Sequence, residues 1–217
     1  MTRLPELPFP LLPAGPQAPW SYGAGTLSVR AGARQDLFVP PAGDSLTPAS
    51  DAPRLLGTPP PGDFQLIARV TVGFVGAGDA GALYLETGGQ QGPQREGPQL
   101  EWAEREWAKL CFELSPDTPT VCSVVTRGYS DDVNSAVVEG GSVWLRISRT
   151  GKAFAFHTSA DGERWTFVRV FALGDEAAAA GARIGFLAQC PTADGCAVSF
   201  DSVAFRGYAP EGLRDGS

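Results

Sequence analysis

Short strand-like segments follow one another along this chain, with turn residues between them and almost no helical periodicity. That pattern restricts the fold more than any other feature. The stretch GSVWLRISRTGKAFAFHTS (141–159) alternates apolar and polar residues and breaks at Thr150-Gly151, as a hairpin does. DFQLIARVTVGF (63–74) sets Phe64, Leu66, Ala68 and Val70 on one parity. TLSVRA (26–31), DLFVPP (36–41), AGALYLET (80–87), EWAKLCFEL (106–114) and TVCSVVTR (120–127) read as further strands. So do WTFVRVFAL (165–173), ARIGFLAQC (182–190) and CAVSFDSVAFRGY (196–208). Only GDEAAAAG (174–181) suggests helix, a turn or two with acids near the start, where the dipole favours them. Strands spaced by roughly 10 to 15 residues, with Gly, Pro and Asp turns, predict an all-β sandwich or barrel. The 27 glycines and 19 prolines supply the turns.

At 217 residues the chain reads as one domain. We expect a Pro-rich extension over 1–19, a sandwich over 20–208 and a short tail over 209–217. ETGGQQGPQREGPQ (86–99) is poor in apolar residues and is expected to be a loop inside the domain. The net charge is −7, and Lys and Arg are scattered singly, which argues against a nucleic-acid partner. No apolar run approaches the roughly 20 residues of a membrane span. The N-terminal region is broken by prolines and makes a poor signal-peptide core, so a cytoplasmic location is expected.

SADGERW (159–165) has the order of a sialidase Asp box. A propeller needs that signature in every blade, and here it occurs once, so we read a tight turn capped by its Asp. CFELSPDTPTVC and CPTADGC each read as a hairpin loop with Cys at both ends. Pairs 111/122 and 190/196 are therefore geometrically able to form disulfides, the default being buried free thiols. A C-x2-C knuckle is missing and His157 is the only histidine, so no metal centre is expected. Asp131, Asp132 and Asn134 in SDDVN have oxygen ligands that suit Ca²⁺, although an Asx-capped turn is the simpler reading. There is no P-loop, dinucleotide fingerprint or G-x-S-x-G elbow, and no organic cofactor is expected. A Cys111 nucleophile with a His157 base is a minor alternative.

From Asp36 to Phe205 the motifs come in a distinctive order. They are D-x-G, W-x-K-x-x-x-E, S-V-V-T, L-R-x-x-R-x-G, S-x-D-G-x-x-W and a closing G-F-x-A-Q-x-P. Over about residues 20–206 the chain resembles a domain-of-unknown-function family labelled "regulation of enolase protein", placed with the concanavalin A-like lectins and glucanases. The resemblance implies a jelly-roll β-sandwich of two antiparallel sheets. It implies no catalytic residues. Where that family commonly has Ser-Asp-Trp, this chain has Ser130-Asp131-Asp132, which removes an aromatic from that loop.

Strand parity then selects a candidate site. Leu83, Leu85, Leu110, Phe112, Leu145, Ile147, Phe154 and Phe156 go to the core. Tyr84, Glu86, Trp107, Lys109, Glu113, Arg146 and His157 are left on an outer, concave sheet face. Exposed rings beside polar groups suit sugar binding, and cross-strand salt bridging is the bland alternative. Three functions follow. The first is a lectin-like, non-catalytic module for a carbohydrate or small polar metabolite. The second is a protein-interaction or regulatory module. The third is a glycoside-active enzyme using Glu86 and Glu113. The laminarinase-type E-x-D-x-x-E run is absent, and Glu104 and Glu106 have core parity.

Overall fold

A computed structural model describes residues 1–41, 51–88 and 106–217. The strands are β1 (Leu12–Ala14), β2 (Ser21–Gly23), β3 (Thr26–Gly32), β4 (Arg54–Gly57), β5 (Phe64–Gly73), β6 (Ala80–Thr87) and β7 (Glu106–Leu114). They continue with β8 (Pro119–Arg127), β9 (Tyr129–Val137), β10 (Ser142–Thr150), β11 (Ala153–Ser159), β12 (Thr166–Ala172), β13 (Arg183–Gln189) and β14 (Gly195–Arg206). One short helix, α1 (Glu176–Ala180), is capped by the Asp175 side chain, which accepts from Ala178 N.

The strands form two seven-stranded antiparallel sheets. The first runs β1-β4-β13-β6-β7-β8-β9 and the second β12-β11-β10-β5-β14-β3-β2. This is a sandwich, as the strand pattern allows, and of the jelly-roll type that the family resemblance implies. The parity reading holds residue by residue. Phe64, Leu66, Ala68, Val70, Leu83, Leu85, Leu110, Phe112, Leu145, Ile147, Phe154 and Phe156 all lie in the core between the sheets. The N-terminal segment also reaches it, with Leu4, Leu7, Phe9 and Leu11 buried there.

Three local expectations are corrected. Residues 36–40 form no strand. This segment instead crosses the outer face of the first sheet, where Leu37, Phe38 and Val39 cover a second apolar cluster. Its ends are fixed by two backbone bonds between Gln35 and Cys190, and at Val39 by Ser130 N donating to the Val39 carbonyl and Val39 N donating to Ser130 Oγ. SDDVN is part of strand β9 and not a turn, because its backbone pairs with β8 in register. CPTADGC is an arch and not a hairpin, since β13 belongs to the first sheet and β14 to the second. By contrast β7 and β8 do form a hairpin, with Cys111 directly opposite Cys122. All four cysteines are free and buried.

Of the loop expected over 86–99, residues 89–99 lie outside the described residues. Among the described residues no helix is long and apolar enough to cross a membrane.

Candidate functional site

The outer face of the first sheet is ordered in cross-strand rows. At one end stand Arg183, Glu86, Trp107, Thr126 and Ser130. Next come Gly185, Tyr84, Lys109, Val124 and Asp132. A third row is Leu187, Ala82, Cys111, Cys122 and Asn134, and the last is Gln189, Ala80, Glu113, Thr120 and Val137. Tyr84, Glu86, Trp107, Lys109 and Glu113 therefore do share one face.

Lys109 is the centre of the polar half. Its side chain donates from Nζ to Gln189 Oε1 at 2.7 Å. Asp36 Oδ1, on the crossing segment, lies 3.5 Å from the same nitrogen. Burial draws the ammonium's pKa down, but Asp36, Cys111 and Glu113 together outweigh it and raise it above the ordinary value. Glu113 is half-buried. Burial pushes its carboxyl up to about 7, with Asp36 and Asp132 adding to the rise and Lys109 opposing it. The exposed Asp132 and Asn134 border this spot from β9. Asn134 Oδ1 also accepts from Ser115 Oγ at 3.2 Å and from Cys122 Sγ at 3.1 Å. Charged and amide groups thus converge at one end of the sheet, with Lys109 and Gln189 buried, Glu113 half-buried and Asp132 and Asn134 exposed. A lysine, a carboxyl group near neutrality and several amide oxygens can bind hydroxyls as donors and acceptors alike.

The aromatic half is closed. Trp107 is 1% exposed, stacks on Tyr84 at 6.0 Å between ring centroids, and does not face solvent as expected. Arg54 lies over the Tyr84 ring at 5.4 Å and is held by Asp51. Glu86 is bound by Arg183 and by the Tyr84 hydroxyl. Glu86 and Glu113 sit at opposite ends of the face. Two cross-strand rows lie between theirs, and the six steps along β7 from Trp107 to Glu113 span roughly 20 Å at about 3.3 Å per residue, so they do not form a hydrolytic pair. Glu104 lies outside the described residues, and Glu106 accepts from Gly174 N.

Arg146 and His157 belong to the other side of the sandwich, neighbours on β10 and β11 of the second sheet. Parity assigns a residue outward but does not say on which sheet, and these two face away from the remaining candidates. His157 and Cys111 are consequently on opposite sides of the molecule and cannot act as a pair. The C-terminal segment covers this second face. Arg146 donates to Gln65 Oε1 at 3.2 Å and to the Gly216 carbonyl at 2.8 Å, and its guanidinium lies 4.3 Å from the Trp165 ring centroid. His157 Nε2 is 2.8 Å from the Leu213 carbonyl, which assigns the neutral Nε2–H tautomer as donor. The Asp-box-like turn is structural. Asp161 Oδ1 accepts from Glu163 N and Arg164 N, and Ser159 Oγ accepts from Gly162 N.

Burial, followed by the charge of Arg146, lowers the His157 pKa to about 4, against the pull of the Leu213 carbonyl and Asp215. Lowered in the folded state, this group favours folding fully above the unfolded value of about 6.5, and the benefit is lost as pH falls from there through 4. The wild-type protein is expected to lose about 3 kcal/mol across that window, the consequence of a pKa that falls from 6.5 to about 4 on folding. Denaturant melts of the wild type and His157→Gln at pH 7 and pH 4 check this. The variant should lack most of the fall, and identical pH profiles would refute the assignment.

An open cleft of about 510 Å³ also lies on the second sheet, lined by Ser21, Ser28, Arg30, Thr71, Ala197 and Ser199. It lacks the convergence of opposite charges seen around Lys109.

Asp36 and Arg54, not singled out from sequence, and Gln189, whose side the sequence leaves unclear, complete the first face. Gln189 was legible in principle, because its parity matches the outward Gly185 and Leu187. Asp36 and Arg54 come from segments whose position depends on the crossing of the sheet.

A β-sandwich of jelly-roll type with a polar cluster on one outer sheet face is thus the class of protein defined by the fold. Residues 15–208 match the family of proteins of unknown function DUF1349, and the chain belongs to that family. No curated protein matches the chain. Among solved structures it is similar to a functionally unknown protein from Saccharomyces cerevisiae, with a TM-score of 0.69 and 18% identity over 93% of this chain and 97% of that one. It is also similar to the GH43 BlXynB protein from Bacillus licheniformis, with a TM-score of 0.57 and 12% identity. That likeness covers 87% of this chain and 38% of that one. The carbohydrate binding module CBM66 from Bacillus subtilis gives a TM-score of 0.50 and 12% identity, over 93% and 97% of the two chains. At these identities the likeness establishes the fold.

Proposed function

We propose that the protein is a non-catalytic binding module for a carbohydrate or a similarly hydroxylated metabolite, at the polar end of the first sheet's outer face. The observation that carries this reading is the cluster of Lys109, Asp36, Gln189 and Glu113 beside the exposed Asp132 and Asn134. Burying a lysine and a carboxyl together stabilises a fold little, and such groups concentrate at ligand sites. The carbohydrate binding module among the structural relatives supports the reading by analogy of fold. Ring stacking does not contribute, because Trp107 and Tyr84 are occupied with one another. Glu86 and Arg183 then serve to hold the closed half of the face.

The test is a glycan array at pH 7, followed by calorimetric titration of any sugar that binds. Lys109→Met and Asn134→Ala should each weaken binding about tenfold or more, the cost of one charged or well-placed hydrogen bond. Unchanged affinity in both variants, with unchanged melting, would exclude this site.

A second reading, the docking of a protein partner, is favoured by β9. It is the outermost strand of its sheet and exposes Tyr129, Val133 and Val137. A blank array together with partner binding that a Val133→Lys change abolishes would favour it.

A further inference from the structure

Asp79, Cys190 and Cys196 meet at one end of the sandwich, below the arch that joins the two sheets. One carboxylate oxygen and the two sulfurs all lie within 4.8 Å of one another, and each residue is fully buried. The elements that bring them together are independent. Asp79 immediately precedes β6, Cys190 follows β13, and Cys196 lies on β14 of the opposite sheet. The arch is fastened over them, with Thr192 Oγ1 donating to the Ala77 carbonyl at 2.7 Å.

The carboxylate itself is divided in its roles. Asp79 Oδ2 accepts from Val75 N at 2.8 Å and Gly76 N at 2.9 Å, which fixes the side chain. Oδ1 is buried and has no hydrogen-bond partner, and it belongs to the side chain that faces the two thiols. A buried carboxylate oxygen without a hydrogen-bond donor is costly. A divalent ion meets that need. Two thiolates and a carboxylate are the donor types of zinc-like ions. Tetrahedral bonds of about 2.3 Å to each sulfur put them about 3.8 Å apart, a contraction of an ångström or less from the separation seen.

We infer that Asp79, Cys190 and Cys196 form a binding site for a thiophilic divalent cation of the zinc class. A cysteine thiol is ordinarily protonated at pH 7. Binding therefore breaks both S–H bonds, forms two metal–sulfur bonds and one metal–oxygen bond, and releases two protons to solvent for each ion. No oxidant or reductant takes part. The site adjoins the Lys109 cluster, since the Gln189 carbonyl accepts from Cys196 Sγ at 3.2 Å, but it uses none of that cluster's side chains as ligands.

Co²⁺ is the probe. Chelator-treated protein titrated with Co²⁺ should develop a thiolate-to-cobalt charge-transfer band that saturates at one equivalent. Two protons should be released per ion, and Zn²⁺ should displace the cobalt. The melting temperature should rise by several degrees with Zn²⁺. Cys190→Ser and Cys196→Ser should each weaken binding at least tenfold. The double variant Cys111→Ser/Cys122→Ser should bind as wild type, because that pair faces Asn134 and no bound carboxylate. The proposal is overturned if the wild-type protein gives no charge-transfer band or releases no protons. It is overturned equally if the band follows Cys111 and Cys122, or if mass spectrometry of untreated protein finds a Cys190–Cys196 disulfide without metal. Should the serine variants fail to fold, the wild-type band and proton count decide.

Discussion

Replacing Trp107 with alanine is expected to destabilise the protein by about 3–5 kcal/mol, the usual cost of deleting a buried aromatic ring. At about 2–4 °C per kcal/mol for a domain of this size, the melting temperature should fall by roughly 10 °C or more. Its exposure of 1% and its stacking on Tyr84 are the reason. The sequence alone suggests the opposite outcome, a surface ring whose loss removes ligand binding and leaves stability intact. Thermal melts of the purified variant separate the two. A drop of a few degrees or less would mean that the ring is accessible and would restore it as a stacking platform.

Gly185→Ala should be comparably severe, costing about 3 kcal/mol or more as overpacking that the backbone cannot absorb. A β-carbon built there would lie 1.9 Å from the Leu55 carbonyl oxygen and 3.0 Å from the Leu55 carbonyl carbon. Both belong to β4, which pairs with β13 at this point. The obstruction is main chain, so no side-chain rotation relieves it. The strand β4 must move away, and with it Arg54, which lies over Tyr84. Denaturant unfolding is the measurement. Full stability in this variant would mean that β4 does not approach β13 as closely as the structure places it.

The two variants act on one object, the packing of segments 35–39 and 51–54 across the first sheet. That cover closes the aromatic half of the face and leaves the Glu113 end accessible. It also explains why a search for solvent-facing rings leads to the wrong half. The rings have outward parity and are nevertheless covered, as is Lys109, while the exposed groups at the other end are Asp132 and Asn134 beside the half-buried Glu113.

Much of the fold was legible in the residues themselves. The period-two alternation of FQLIARV and WLRIS sends Phe64, Leu66, Leu145 and Ile147 into the core, because successive side chains on a strand point to opposite faces. The Thr150-Gly151 and SADG turns mark their hairpins by local chemistry alone, a positive φ at Gly151 and an Asp that caps its own backbone. Even β7, with its W-x-K-x-x-x-E spacing, is read correctly as a strand whose Trp107, Lys109 and Glu113 share a face. The sheet to which an outward residue belongs is decided by tertiary structure, because strand order follows from long-range pairing that no local pattern encodes. Arg146 and His157 are parted from Lys109 for that reason. The arch that brings Cys190 and Cys196 to Asp79 is likewise a crossing between sheets, and as a sequence it looks the same as a hairpin. Parity determines inside from outside. Only the assembled sandwich determines which outward groups meet, and which of them the chain covers with its own backbone.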